Sequence, residues 1–238
     1  MSRISPVPPL QNRRCLGEAG MPPYLKGMTD TKLPPADLPL FPLSGAILLP
    51  GAALPLNVFE PRYLNMIDDV RRDGGHVGII QTRPGGTPEH PALARVGAAG
   101  RLDQFEETAD GRYLIALTGV ARFTVRHELD CALPYRMARV DYAGFGDDRA
   151  PRTGPAGDRG RLMRMLQAWF QREHVAADWG SMTTAPLGDV VDRLSMAAPF
   201  AASDRQRLLE APDATARLAE MEQILAERLA GDADGPVH

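Results

Sequence analysis

The chain has 238 residues, of which 44% are hydrophobic and 24% are charged, and its net charge is −3. This composition predicts a globular protein, and no apolar run reaches the roughly 20 residues that a membrane-spanning helix needs. Residues 37–238 carry a net charge of −6, and an acidic globular part repels a phosphate backbone. Composition therefore argues against a membrane or a nucleic acid as the partner.

Two residue types restrict the chemistry further. The only lysines are Lys26 and Lys32, so residues 37–238 lack the lysine of a Walker loop, a Schiff-base enzyme or a Ser–Lys peptidase. The only cysteines are Cys15 and Cys131, too few for a disulfide framework, which favours the cytoplasm. The five histidines show no metal-ligand spacing. We therefore predict no catalytic residues, no metal and no cofactor.

One acid–histidine cluster remains as a candidate for catalysis. His174 follows Glu173 directly and lies four residues before Asp178. The surrounding pattern is helical and charged, so we interpret the cluster as a solvated helix end rather than as an acid–base site.

The domain organisation follows from shifts in composition. Residues 1–36 are rich in Pro, Gly and charge, which predicts a disordered tail with later in-frame starts at Met21 and Met28. Residues 37–143 predict a β-barrel subdomain, 144–157 a Gly- and Pro-rich linker, 158–230 a helical subdomain, and 231–238 a second disordered tail.

The sequence pattern of the first half of the chain predicts short strands and one helix. An Asp110–Gly111 turn predicts a hairpin, with Gly119 as a break in its second strand. The predicted strands are 38–43, 54–58, 76–82, 96–106, 113–118, 120–125 and 135–142. In the second half, apolar residues recur at helical spacing, and Ser203 with Gln206 is typical of a capping box.

The sharpest local motif is Phe59-Glu60-Pro61-Arg62-Tyr63. Pro61 is suited to the first turn of a helix, and Glu60 would lie favourably at its positive end. Phe59 and Tyr63 are placed to staple the preceding strand to the helix, and Arg62 to pair with a carboxylate. We interpret this motif as structural.

Several segments, in their order along the chain, together resemble the N-terminal domain of the Lon proteases, which cereblon shares. Phe59–Tyr63 resembles the strand-to-helix step of stand-alone bacterial members. The other segments that carry the resemblance are 38–43, 49–51, 54–56, 96–97, 110–123, 205–210 and 217–218. Ala98 and Ala99 depart from the small polar residues usual in the family.

The resemblance implies an α+β fold, namely a PUA-like antiparallel β-barrel with one helix, followed by a small helical bundle. It also implies a non-catalytic module that binds polypeptide substrates, as an adaptor or a chaperone-like protein. The sequence ends at His238 with no ATPase or peptidase region after the helices, so we expect a binding domain that stands alone.

The expected partners are unfolded or exposed hydrophobic polypeptide segments, together with a protease system, and self-association stays open. The candidate contact residues are Met163, Trp179 and Met182 in the helical half, because thioether and aromatic side chains suit adaptable surfaces. For each of the three, a place in the core is the more common role. Two alternatives remain: a PUA-like protein that binds RNA, and a small-molecule-binding or enzymatic barrel.

Overall fold

The computed structural model describes residues 33–72, 75–149 and 154–230. The predicted tails therefore lie outside the described residues, except for 33–36. Ala36 accepts a hydrogen bond from the Val140 amide, and the Pro35 carbonyl accepts one from the Tyr142 hydroxyl. The last residues before the first strand are thus held against the barrel.

Six strands and one helix make up the first half. They are β1 (Asp37–Leu43), β2 (Ala53–Val58), α1 (Pro61–Arg72), β3 (His76–Gly86), β4 (Pro91–Glu107), β5 (Tyr113–Leu129) and β6 (Arg136–Asp141). A 3-10 helix, Ala143–Arg149, follows. The second half contains α2 (Arg159–Arg172), α3 (Trp179–Thr184), α4 (Leu187–Ala197), α5 (Ala202–Glu210) and α6 (Ala214–Ala230). The predicted α+β fold, with its main helix at 61–72, is confirmed.

The sheet closes on itself. Its strand order is β2-β5-β4-β3-β1-β6, and β6 also pairs with β5. Five strands therefore form a ring, and β2 extends it along the first half of β5. All neighbours are antiparallel except β1 and β3. That parallel pair was not predicted; it is accommodated because β2 and α1 provide the long crossover that parallel strands need.

Gly119 does not end a strand, contrary to the prediction. β5 runs through it, and the register with β4 shifts between Ala99 and Gly100 as a β-bulge. A Cβ on Gly119 would lie 2.2 Å from the Leu49 carbonyl oxygen. The bulge thus lets the loop before β2 approach the strand closely, and Gly119 exchanges backbone hydrogen bonds with Gly51 and Ala52.

The apolar core has a part in each half. In the barrel, strand side chains pack against the buried face of α1, which comprises Tyr63, Met66, Ile67 and Val70. In the helical half, the rings of Trp169 and Phe200 stack with centroids 4.8 Å apart.

The structure of the helical half differs from the predictions at two points. Helix α3 was not anticipated, and α5 begins at Ala202 without a side-chain cap, so Ser203 lies inside the helix.

Helix α5 is the element that docks the helical half on the barrel. Gln81 of β3 is 2% exposed; its amide nitrogen donates to the Ala202 carbonyl at 3.1 Å and to Oε1 of Gln206 at 3.2 Å. Gln206 in turn donates to the Val96 carbonyl of β4. Gln206 therefore contacts the barrel instead of closing a capping box.

A buried arginine on β5 completes this joint. Arg122 is 1% exposed, and its Nε and Nη2 donate to the Asp148 carboxylate at 2.7–3.0 Å. Its Nη1 donates to the Leu209 and Ala211 carbonyls, and Nη2 also to that of Pro212 at 3.0 Å. One guanidinium thus connects the barrel, the 3-10 helix and the end of α5.

The first residues of the predicted linker, 144–149, therefore take part in the packing. The Asp148 carboxylate also accepts the backbone N–H of Arg122 at 2.7 Å, and the Phe145 ring lies 4.4 Å from the guanidinium carbon. A cation over an aromatic face, at the C-terminus of a helix, is stabilised by both the ring and the helix dipole.

Removing Asp148 should leave the buried guanidinium of Arg122 without its counterion. We expect Asp148→Ala to lower the free energy of unfolding by about 3–5 kcal/mol, because a buried charge then loses its counterion. Urea unfolding followed by circular dichroism measures this. The matched control is Arg126→Ala on the same strand, whose ion pair with Asp141 leaves Arg126 61% exposed; its cost should stay below about 1 kcal/mol. Equal losses in the two variants would contradict the assigned role of Arg122.

Candidate polypeptide-binding groove

The Phe59–Tyr63 motif forms the step from β2 to α1, with Pro61 as the first helical residue. Tyr63 is buried, and its ring packs on Phe41 of β1 with centroids 4.3 Å apart. Phe59, in contrast, is 47% exposed. The helix is therefore stapled through Tyr63 and Phe41, whereas the sequence suggested Phe59 and Tyr63.

Arg62 lies above this aromatic contact. Its guanidinium donates to Glu60 Oε2 at 2.8 Å and its Cζ lies 4.6 Å from the centroid of the Tyr63 ring. The predicted pairing of Arg62 with a carboxylate is thus local. Burial raises the pKa of the Tyr63 hydroxyl, so this tyrosine stays neutral at physiological pH.

The same residues form one wall of a surface groove of about 280 Å³. The groove lies between α1, the β3–β4 turn and the β5–β6 turn. Its apolar and aromatic lining consists of Pro42, Tyr63, Pro91, Leu129, Leu133, Pro134 and Tyr135. Its polar lining consists of Arg62, Glu89, His90, Glu128, Asp130, Cys131 and Arg136.

Two arginines hold the walls of the groove together. Arg62 Nη1 donates to the Glu89 carbonyl at 3.3 Å, which connects α1 with the β3–β4 turn. Arg136 Nη1 donates to the Pro91 carbonyl at 2.7 Å, and the same guanidinium binds both carboxylate oxygens of Glu128. These bonds tie three separate chain segments, so the groove is shaped before any ligand binds.

The apolar part of the groove is open to solvent. Leu133 in the β5–β6 turn is 43% exposed, one of three large hydrophobic side chains exposed to this degree in the described ranges. Tyr135 beside it is buried, and its hydroxyl donates to Asp69 Oδ2 at 2.8 Å. A fixed aromatic floor beside an exposed leucine can take up another apolar side chain.

The contact residues predicted from sequence lie elsewhere. Met163 is buried in the helical core, and Trp179 and Met182 are half-buried against it. The ring of Trp179 lies 5.8 Å from that of Phe170, centroid to centroid. These side chains belong mainly to the packing of α2, α3 and α4, and polypeptide contact through them stays a prediction.

The acid–histidine cluster has a structural explanation. His174 ends α2 in the left-handed region, with φ of 53°, and the amide of Val175 donates to the Phe170 carbonyl. Asp178 accepts the Ser181 amide at 3.1 Å and caps α3. Glu173 and His174 therefore lie at the end of α2, and Asp178 lies at the start of α3. A polar residue such as His174 tolerates positive φ better than a β-branched one.

The described part of the chain contains neither a metal-binding cluster nor a membrane-spanning helix. Residues 33–72, 75–149 and 154–230 contain no group of three or more His, Cys, Asp or Glu side chains placed to hold a metal ion. Within the same ranges, no helix combines the length and apolarity that crossing a bilayer requires.

Sequence reasoning missed the groove because its walls come from turns far apart in the chain. The residues of the β3–β4 turn and the β5–β6 turn are separated by about 40 positions, and only the barrel brings them together. A weak signal existed in Leu133–Pro134, an apolar pair inside a turn rather than a strand.

Comparison with known proteins places the chain among relatives of Lon. A family model for the ATP-dependent protease La (LON) substrate-binding domain matches residues 37–227. A Lon protease of Methylocella silvestris is 28% identical over 214 residues, covering 87% of this chain and 26% of that protein. Lon protease 2 of Myxococcus xanthus is 33% identical over 110 residues, covering 45% and 13%. The chain thus spans at most about a quarter of the length of these relatives.

Two solved structures of Lon N-terminal domains have a fold similar to that of this chain. The Lon N-terminal domain protein from Xanthomonas campestris is 27% identical, with a TM-score of 0.58 over 80% of this chain and 97% of that one. The N-terminal domain of the Mycobacterium avium complex Lon protease is 17% identical, with a TM-score of 0.57 over 80% and 98%. Since the family match extends over most of the chain, this protein belongs to the family of Lon substrate-binding domains.

Proposed function

We propose that the protein binds exposed apolar segments of other polypeptides without itself catalysing a reaction. The observation that carries the proposal is the pre-shaped groove beside Leu133, whose floor is aromatic and whose walls are tied by Arg62 and Arg136. The Lon family match describes a substrate-binding domain, which supports the same role.

The charge of the groove favours a polypeptide over RNA. Three carboxylates and two arginines line the groove, and both arginines already bind carboxylates. Such a surface offers no excess positive charge to an RNA backbone.

We further propose a role in the cytosol as an adaptor or chaperone-like module that serves a protease system. The family relationship supports this role, because the relatives are named as Lon proteases. Capture by a single groove would be weak and reversible, which suits transfer of a bound segment to another protein.

The binding proposal predicts a preference for the unfolded state of a partner. We expect a permanently unfolded protein to bind with a micromolar Kd, more tightly than its folded form and with weak dependence on salt. Fluorescence anisotropy at low and high salt measures both. Salt-sensitive binding of RNA, without preference for the unfolded protein, would support the RNA-binding alternative instead.

Leu133→Ser tests whether this groove is the contact surface. Leu133 is 43% exposed, so a bound ligand can bury nearly half of its side chain, which contributes about 1 kcal/mol to binding. Because the substitution removes this contribution, the Kd should rise about fivefold. The matched control is Leu33→Ser, because Leu33 is 45% exposed but does not line the groove. Equal effects of the two substitutions would count against the groove.

The absence of catalysis is a separate prediction. The purified protein should neither hydrolyse ATP nor cleave unfolded casein, because residues 37–238 contain no lysine for a Walker loop or a Ser–Lys dyad. Phosphate release and casein gel assays measure the two activities, with an ATP-dependent Lon protease as the positive control. Either activity, retained through a second purification column, would contradict the proposal.

A further inference from the structure

We infer that the groove selects polypeptide segments in which a large apolar residue is adjacent to lysine or arginine. This inference rests on the proposed function and names its substrate class. It follows from the two kinds of surface that the groove places side by side: an apolar floor and carboxylates that lack a cationic partner.

The apolar floor accounts for the first half of the selectivity. Tyr135 is buried with its hydroxyl bonded to Asp69, so its ring is held in place. Leu129 is half-buried, and Leu133 and Pro134 are exposed beside it in the same turn. An apolar side chain entering here removes both its own surface and that of Leu133 from water.

Charge accounts for the second half of the selectivity. The guanidinium of Arg62 binds Glu60 and that of Arg136 binds Glu128, with N–O distances of 2.8 and 2.5 Å. Glu89 and Asp130 are exposed on opposite turns of the groove, and neither forms an ion pair with a described residue. The positive charges of the groove are therefore compensated, while two negative charges remain for the ligand.

An acidic segment is disfavoured by the same arrangement. Its carboxylates would approach Glu89 and Asp130, and Arg62 and Arg136 could neutralise them only by leaving bonds that hold the walls together. A basic segment meets no such penalty, because lysine and arginine reach past an apolar contact with their flexible side chains.

Three short labelled peptides test the selectivity. Each contains Leu-Phe at its centre, flanked by lysine, glutamine or glutamate. We expect the lysine peptide to bind about tenfold more tightly than the glutamate peptide, with the glutamine peptide between them, at low salt. Anisotropy titrations with the 238-residue protein give the three Kd values.

The double variant Glu89→Gln with Asp130→Asn removes the two unpaired charges. It should reduce the preference for lysine over glutamate to less than about twofold. The matched control is Glu106→Gln with Glu107→Gln, which changes the net charge equally at exposed positions of β4 outside the groove. This control should keep the preference of the wild-type protein.

The outcomes separate this inference from the proposed function. Equal binding of all three peptides by the wild-type protein would overturn the charge selectivity while retaining polypeptide binding. A preference that survives in the Glu89/Asp130 variant would also overturn it, since the charge would then act from elsewhere. Failure of every peptide and of unfolded protein to bind would overturn the proposed function itself. Melting curves of both variants confirm that they are folded.

Discussion

The guanidinium of Arg122 holds together the parts of this protein on which everything else depends. All five of its N–H groups have acceptors: the Asp148 carboxylate from the segment after the barrel, and the Leu209, Ala211 and Pro212 carbonyls at the end of α5. A lysine could not replace it, because an ammonium group has three donors and no planar fork. The orientation of the helical half against the barrel therefore depends on this guanidinium, together with the hydrogen bonds of Gln81 and Gln206 in the same joint.

The residues of that joint and those that line the groove are different. Helix α5 contacts β3 and β4 through Gln81 and Gln206, whereas the groove is built from α1 and from turns between strands. Stability and recognition thus use different residues. The arrangement follows a general rule: a closed sheet has few open edges, so its variable turns provide the surface that contacts other molecules.

Arginine carries nearly all of the positive charge in the described structure. These arginines occupy two kinds of environment. Arg122 is buried and fully bonded, while Arg62 and Arg136 lie at the surface and bridge chain segments. Each uses one face of the guanidinium for a carboxylate and another N–H for a backbone carbonyl. The two surface arginines therefore position the walls of the groove, and the inferred selectivity assigns the recognition of ligand charge to Glu89 and Asp130.

The sequence by itself determined the local structure and the family. Alternating apolar residues, a proline at the start of α1 and helical periodicity after position 158 predicted the strands and most helices, because these patterns depend on neighbours in the chain. Tertiary structure alone decided the parallel β1–β3 pair, the bulge at Gly119 and the bonds of Arg122 and Gln206. It also decided the groove, whose walls meet only when the barrel closes. Such features depend on contacts between residues about 25 to 125 positions apart, which no local pattern encodes.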